Sequence, residues 1–298
     1  MSAPVPAPML LSRAWEIPVG EGWAFEPKWD GSRCLAELGE DTRLRSRRGT
    51  DLTPRVPELR RLHDRVPVSV VLDAELVAVR SGVPSFDALR RRVLFGRSSE
   101  PGVTVMVVAF DLVVLGGRDI TALGYERRRG ILESLGIEGP GLQLTLSCPA
   151  SEGPALFAAT RDRGMEGVVA KRVGSPYRPG VRSTDWVKVK HFTTTEFTVG
   201  GWLPDQGGGL KAILLGRRVK GRLAYAGAVE HGFDRLALRA ALEALAVPDP
   251  VLTGGPRRCR AVRPEVTVRV RYQSLTEDGR VRAAAVIGFS GQGHRPGR

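Results

Sequence analysis

Between Val103 and Leu115 the chain runs thirteen residues with only Thr104 and Asp111 polar. A strand this uniformly apolar has no face to offer to water, so it has to be buried on both sides. Strand character dominates around it. Residues 23–26 and 34–38 alternate apolar and polar, and residues 68–79 form a further β-branched run, so three more strands are expected there. Periodicity predicts helices over residues 85–94 and 125–135, and a third from a cap at Ser151 to about Arg163, where Gly164 supplies a stop signal.

A change of composition follows Lys190. A polar run of threonines, 191–196, leads into short strands separated by glycine turns at 204–209 and 220–221. One helix over 234–246 interrupts them, and a strand resumes at 266–272. Several short strands with one helix suit a small barrel of the oligonucleotide-binding type. The expected division is therefore an α+β domain over 1–191 and a small barrel over 192–298, with the hinge near 191–195.

Charge narrows the partners. The chain of 298 residues carries a formal net charge of +13 and a sequence pI of about 10.5, which points to a polyanion, nucleic acid ahead of a membrane surface. Cys34, Cys148 and Cys259 are odd in number and far apart, and His63, His191, His231 and His294 lack metal spacing, so neither a disulfide framework nor a zinc site is expected. The N-terminus has no charged start followed by an apolar core, and no stretch reaches the length of a membrane span. The expected setting is the cytoplasm, and the expected state a monomer.

Six lysines stand against thirty-nine arginines. Arginine stays protonated in proteins, so a position that must lose its proton and attack an electrophile needs lysine. Lys28 lies in the run Glu26-Pro-Lys28-Trp-Asp-Gly-Ser-Arg33, on an expected turn between two strands. In Asp185-Trp-Val-Lys188-Val-Lys190, strand alternation puts both lysines on one face and both valines on the other, a phosphate clamp whose field also favours deprotonation of Lys28. Asp73 and Glu75 share a strand face, and Glu166 opens the segment ending in Lys171. Together these carboxylates suit a magnesium ion, which prefers a few carboxylates plus waters and substrate phosphate. Phe110 offers an aromatic face for a base, and Ser46-Arg47-Arg48-Gly49 forms a basic turn. The glycine clusters match no Walker or dinucleotide fingerprint.

In this order the segments resemble the ATP-dependent DNA ligases of the covalent nucleotidyltransferase superfamily, over nearly the whole chain. The compact bacterial ligases and the ligase domains of bacterial end-joining proteins are most similar. The resemblance implies a nucleotidyltransferase domain of ATP-grasp-like antiparallel sheets with helices, followed by an oligonucleotide-binding barrel. The additional helical DNA-binding domain of larger relatives is not expected within these 298 residues. It also implies ATP with Mg2+ or Mn2+ as cofactors, nicked duplex DNA as partner, and other DNA-repair proteins as further partners.

Roles follow by the same resemblance. Lys28 takes AMP from ATP as a lysyl phosphoramidate, passes it to the 5′-phosphate of a nick, and the 3′-hydroxyl displaces it. Glu26 reads the adenine amino group and Phe110 stacks on the base. Arg33, Arg47 and Arg182 contact ribose or phosphates. Glu75 and Glu166 serve ribose and metal, and Lys188 with Lys190 the α-phosphate. Lys171 stays unassigned: five residues from Glu166 on a regular strand, it should face the opposite way.

One departure stands out. The family's last motif carries an arginine followed by an Asp-Lys pair that orients pyrophosphate, whereas Arg282 is followed by Ala283, Ala284 and Ala285, with no lysine after Lys220. Arg282, Arg295 and Arg298 are the candidate substitutes. The competing readings are an RNA ligase or another RNA-directed covalent nucleotidyltransferase, and a non-catalytic nucleic-acid-binding relative.

Overall fold

The computed structural model describes residues 4–95, 101–276 and 278–290; His294, Arg295 and Arg298 lie outside that range. The chain divides into two compact units, Met1–Lys190 and His191–Arg298.

The first unit is built on two sheets. In the larger, Val103–Leu115 is a strand over its whole predicted length and pairs antiparallel with Val70–Arg80. Beyond the latter lie Ser32–Leu38 and Thr42–Ser46, while Leu142–Leu144 runs parallel to Val103–Leu115. One face of this sheet is closed by helices Phe86–Phe95 and Tyr125–Ser134 and by 3-10 turns, over a core that includes Leu44, Leu59, Leu72, Leu76, Leu89 and Leu132. Helix Tyr125–Ser134 is also tied down by charge. Arg128 and Asp111 are both fully buried and joined by two hydrogen bonds of 2.8 and 2.9 Å, and Arg128 donates to the Ser175 carbonyl as well. A buried pair of this kind is tolerated because its remaining polar valences are filled.

The smaller sheet runs Leu10–Ala14, Arg182–Lys190, Gly167–Arg172, Trp23–Pro27, Cys148–Pro149. Alternation divides its residues. Trp23, Phe25, Val168, Ala170, Val187 and Val189 point to one face and pack with Leu156 of helix Gly153–Asp162. The opposite face meets the larger sheet through a cluster containing Leu35, Val71, Val113, Tyr177 and Trp186. This second face carries the polar residues of interest.

One expectation needs correction. Ser151 does not cap its helix: it lies in a 3-10 turn, Ala150–Glu152, the helix begins at Gly153, and its N-cap Glu152 makes no side-chain capping bond. The stop at Gly164 stands, with φ of +65°. The division between the two units falls at Lys190/His191, and the threonines that follow are strand. Two residues, His191 and Phe192, separate strand Arg182–Lys190 from strand Thr193–Pro204, in which Thr193, Thr194 and Thr195 pair with Tyr272, Arg271 and Val270. Threonine is β-branched and fits a pleated, half-buried surface, which outweighs its polarity.

The second unit is a curled antiparallel sheet of the oligonucleotide-binding type. Its strand order is Arg222–Val229, Leu210–Val219, Thr193–Pro204, Thr267–Tyr272, Ala285–Ser290, around a core with Phe197, Trp202, Ile213, Leu215, Val268 and Val270. Helix Arg235–Glu243 buries Leu238 and Leu242 in it, capped by the Asp234 carboxylate, which accepts from the backbone N–H of Leu236 and Ala237.

Candidate active site

Three adjacent strands of the smaller sheet bring the lysines together. Gly167 stands opposite Lys190 in the ladder, and the Lys28 N–H donates to the Gly167 carbonyl at 2.8 Å. Lys28 therefore sits beside Lys190 across one intervening strand end. Its own segment, 28–31, crosses between sheets, since Trp23–Pro27 belongs to the smaller and Ser32–Leu38 to the larger. The expected turn between strands is present, and it spans two layers.

Two glycines permit this closeness. A Cβ on Gly31 would lie 2.3 Å from the Leu76 carbonyl oxygen and 2.8 Å from Cγ of Glu75. One on Gly167, whose φ is +145°, would lie 2.1 Å from the Val189 carbonyl oxygen. Only glycine fits where backbone packs on backbone at such range.

The ammonium of Lys28 lies 2.5 Å from Oε2 of Glu166, and Lys190 pairs with Oε1 of the same carboxylate. Burial pushes the Glu166 carboxyl up, but Lys28 and Lys190 outweigh it and hold it below its ordinary value. Lys188 shares the Lys190 face, and its pKa is lowered by burial and then by repulsion from Lys190 and Lys28. Cations are thus crowded around one carboxylate, an arrangement ready to exchange that carboxylate for phosphate oxygens.

Behind Lys28 lies a cavity lined by Glu26, Trp29, Arg33, Glu75, Phe110 and Trp186, with Lys171 among its further walls. Phe110 enters it through a β-bulge. Asp73 pairs with Asp111 and Ala74 with Ala109, which leaves Phe110 as the extra residue, turned out of the ladder. Arg33 is anchored by Asp73 through two hydrogen bonds, Nε to Oδ1 at 2.8 Å and Nη2 to Oδ2, and the Tyr177 hydroxyl donates to Oδ2 at 2.6 Å. Asp73 is fully buried by these partners, so it orients Arg33 and is lost as a metal ligand. Glu75 faces the cavity, and burial raises its carboxyl to about 7 against the pull of Lys28 and Arg33.

The charge of Glu166 adds to the cost of ionising Glu75. No group of three or more metal-ligating side chains occurs among the described residues. Two carboxylates beside a cavity nevertheless fit magnesium, which takes one or two carboxylates and fills its shell with waters and substrate phosphate.

Of the other predicted residues, Glu26 lines the cavity, whereas Lys188 and Lys190 lie outside its lining, Lys190 being paired with Glu166. Arg182 and Arg47 are not among the lining residues. Arg182 is exposed and donates to the Leu11 carbonyl, although its charge reaches Lys188. Arg47 is exposed on the turn after Thr42–Ser46, where the Ser46 hydroxyl accepts from the N–H groups of Arg48 and Thr50. Lys171 was expected to face away and instead lines the cavity with Val169, because Glu166 precedes the strand at the Gly167 kink and does not share its alternation. Sequence reasoning missed Tyr125, Tyr177, Trp29 and Thr145. Tyr125 donates to Glu26 at 2.6 Å, and the Trp29 indole donates to Thr145 at 3.0 Å. No local signal marks these, since each acts across at least ninety residues of chain.

Residues 8–190 match the family described as ATP dependent DNA ligase domain, and residues 206–290 the ATP dependent DNA ligase C terminal region. The chain is 38% identical over 283 residues to the multifunctional non-homologous end joining DNA repair protein LigD of Mycobacterium tuberculosis, covering 90% of this chain and 36% of that protein. It therefore spans about a third of that relative's length. DNA ligase C1 of Mycolicibacterium smegmatis is 32% identical, with 90% of this chain and 83% of that protein covered. Among solved structures, mycobacterial DNA ligase D complexed with ATP and MES superposes with a TM-score of 0.55 at 35% identity, over 97% of this chain and 96% of that one.

Proposed function

Since the chain belongs to the ATP-dependent DNA ligases, we propose that it seals nicks in duplex DNA through an AMP group carried on Lys28. The observation that carries the reading is Lys28 at the mouth of an aromatic-walled cavity, held by Glu166 beside Lys190.

In the first step the Lys28 nitrogen, freed of its proton, attacks the α-phosphorus of ATP. An N–P bond forms, the bond to the bridging oxygen breaks, and pyrophosphate leaves. Lys188 and Lys190 face the phosphate that gains charge, and preorganised cations of this kind commonly supply the largest single stabilising contribution. Glu75 and Glu166 would hold Mg2+, which when bound supplies further charge neutralisation at the phosphates. Phe110 and Trp29 wall the base, while Asp73 and Tyr177 fix Arg33 for the sugar or phosphate. In the second step a 5′-phosphate oxygen at the nick takes AMP, and Lys28 leaves and regains a proton. In the third the 3′-hydroxyl attacks that 5′-phosphate and AMP departs.

The charge of +13 provides the phosphate contacts for the duplex. The end-joining relative supports DNA repair as the pathway; other repair proteins as partners and the cytoplasm as the setting complete the proposal. No described helix is long and apolar enough to cross a membrane.

The test is incubation with α-labelled ATP and magnesium, then denaturing electrophoresis and peptide mapping. Label should reside on the peptide containing Lys28, Lys28→Arg should abolish it, and adding nicked duplex should discharge it with formation of a continuous strand. Label on another residue, or discharge without sealing, would overturn the reading.

A further inference from the structure

Of the five tryptophans, Trp23, Trp186 and Trp202 are buried and Trp29 lines the cavity, whereas Trp15 is 58% exposed. A single exposed apolar residue is ordinary on a protein surface, so its place decides what it means.

Leu10–Ala14 is the edge strand of the smaller sheet and runs parallel to Arg182–Lys190, with Arg13 opposite Lys188 and Ala14 opposite Val189. Side chains alternate, so Ala14 turns with Val187 and Val189 into the core under helix Gly153–Asp162, and Arg13 turns to the face of Lys188 and Lys190. Leu11, two residues earlier on that face, lines the cavity. The strand ends at Ala14, and contact with Arg13 fixes the next residue: the Arg13 guanidinium lies over the Trp15 ring, 3.8 Å from its centroid. Neighbouring strands stand about 4.8 Å apart, and residues two apart along a strand about 6.6 Å, so the ring lies roughly one nucleotide's reach from Lys188. An exposed aromatic ledge thus borders the phosphate-binding lysines.

Resting on the nick-sealing reading above, we infer that Trp15, braced by Arg13, is the surface on which the base of the nick's 5′-phosphate nucleotide stacks. That phosphate has to reach Lys28 and the lysine pair to receive AMP, which brings its own base to the ledge. At a nick this base is joined to its strand on one side only, so it tilts out of the stack more readily than a base inside an unbroken strand. An indole stacks on any base, which suits an interface indifferent to sequence. The Arg13 cation holds the ring in place and adds positive charge beside the strand's phosphates. The ledge serves the DNA and not ATP.

The experiment uses a nicked duplex with 5-iodouracil in the 5′-phosphate nucleotide and a 3′-deoxy end that cannot be sealed, irradiated with wild type, Trp15→Leu and Trp15→Phe. Peptide mapping should find the cross-link at position 15 in wild type and in Trp15→Phe, and not in Trp15→Leu. In binding titrations Trp15→Leu should lose affinity for this nick by roughly 10- to 100-fold, the usual loss for one base–aromatic stack. The factor should be the same at low and high salt, because a stacked ring releases no counterion. Adenylation by ATP should be as fast in both variants as in wild type. A cross-link elsewhere or none, wild-type affinity in Trp15→Leu, or an equal loss of adenylation would overturn the inference and leave the ligase reading standing. A wild type that takes no AMP from ATP would instead overturn the ligase reading itself. Should Trp15→Leu melt early, the wild type and Trp15→Phe decide: a cross-link missing from position 15 in both would overturn the inference.

Discussion

Lys28 Nζ and Glu166 Oε2 stand 2.5 Å apart, and the other oxygen of that carboxylate is taken by Lys190. One acid therefore stores both the nucleophile and a phosphate-binding cation, and must release them when phosphate arrives. Glu166→Ala should leave fold and DNA binding near wild type while slowing single-turnover adenylation by about 10²–10³-fold, the usual loss for one oriented stabilising group. A variant as fast as wild type would show that Glu166 is only a resting partner.

Lys188 and Lys190 project from one face of Arg182–Lys190, while Val187 and Val189 on the other face are buried in the core. Lys188→Ala and Lys190→Ala should each reduce single-turnover sealing by about 10²–10³-fold with little change in duplex affinity. Titration of nicked DNA separates the two effects. Equal losses in both assays would make the pair part of the general basic surface.

The crossing segment between sheets depends on backbone approach at Gly31. Gly31→Ala sets a methyl group 2.3 Å from the Leu76 carbonyl oxygen, and backbone cannot yield as a flexible side chain would. Urea unfolding should show destabilisation of about 1–3 kcal/mol, the range for overpacking, with loss of adenylation because Lys28 and Glu75 both shift. Unchanged stability would mean that the two strands separate freely there.

Glu75 gives a pH signature in the metal-free protein. Its carboxyl is raised from 4.5 to about 7, chiefly by burial, so the folded protein binds this proton more tightly than the unfolded chain. The corresponding stability is fully present below pH 4.5 and is lost as pH rises through about 7. Glu75→Gln carries no such loss. Urea melts should therefore find the variant about as stable as wild type near pH 4.5 and more stable by up to ~3 kcal/mol above pH 8, while adenylation fails. A stability difference that does not vary with pH would exclude the raised carboxyl.

Duplex binding should respond steeply to salt. If six to ten phosphates are neutralised, affinity falls by roughly 10³–10⁵ between 50 and 200 mM salt, and should vary little with sequence. A flat response in a binding titration would contradict a phosphate-led interface.

Local pattern alone determined a good part of this protein. Val103–Leu115 is a strand because a run with only two polar residues is buried on both faces, and Lys188 and Lys190 share a face because strand side chains alternate. The stop at Gly164 and the cap at Asp234 follow equally from single residues and their neighbours. Tertiary structure decided the rest. That the strands flanking Lys28 lie in different sheets, that Asp73 is spent on Arg33 and Tyr177, that Phe110 leaves its ladder at a bulge, and that Lys171 turns toward Glu26 all depend on register and packing between segments far apart in sequence. Periodicity reports which face of a strand is apolar. It carries no information on which distant partner that face will meet, or where one extra residue breaks the alternation, because those are settled by the free energy of the whole packed core.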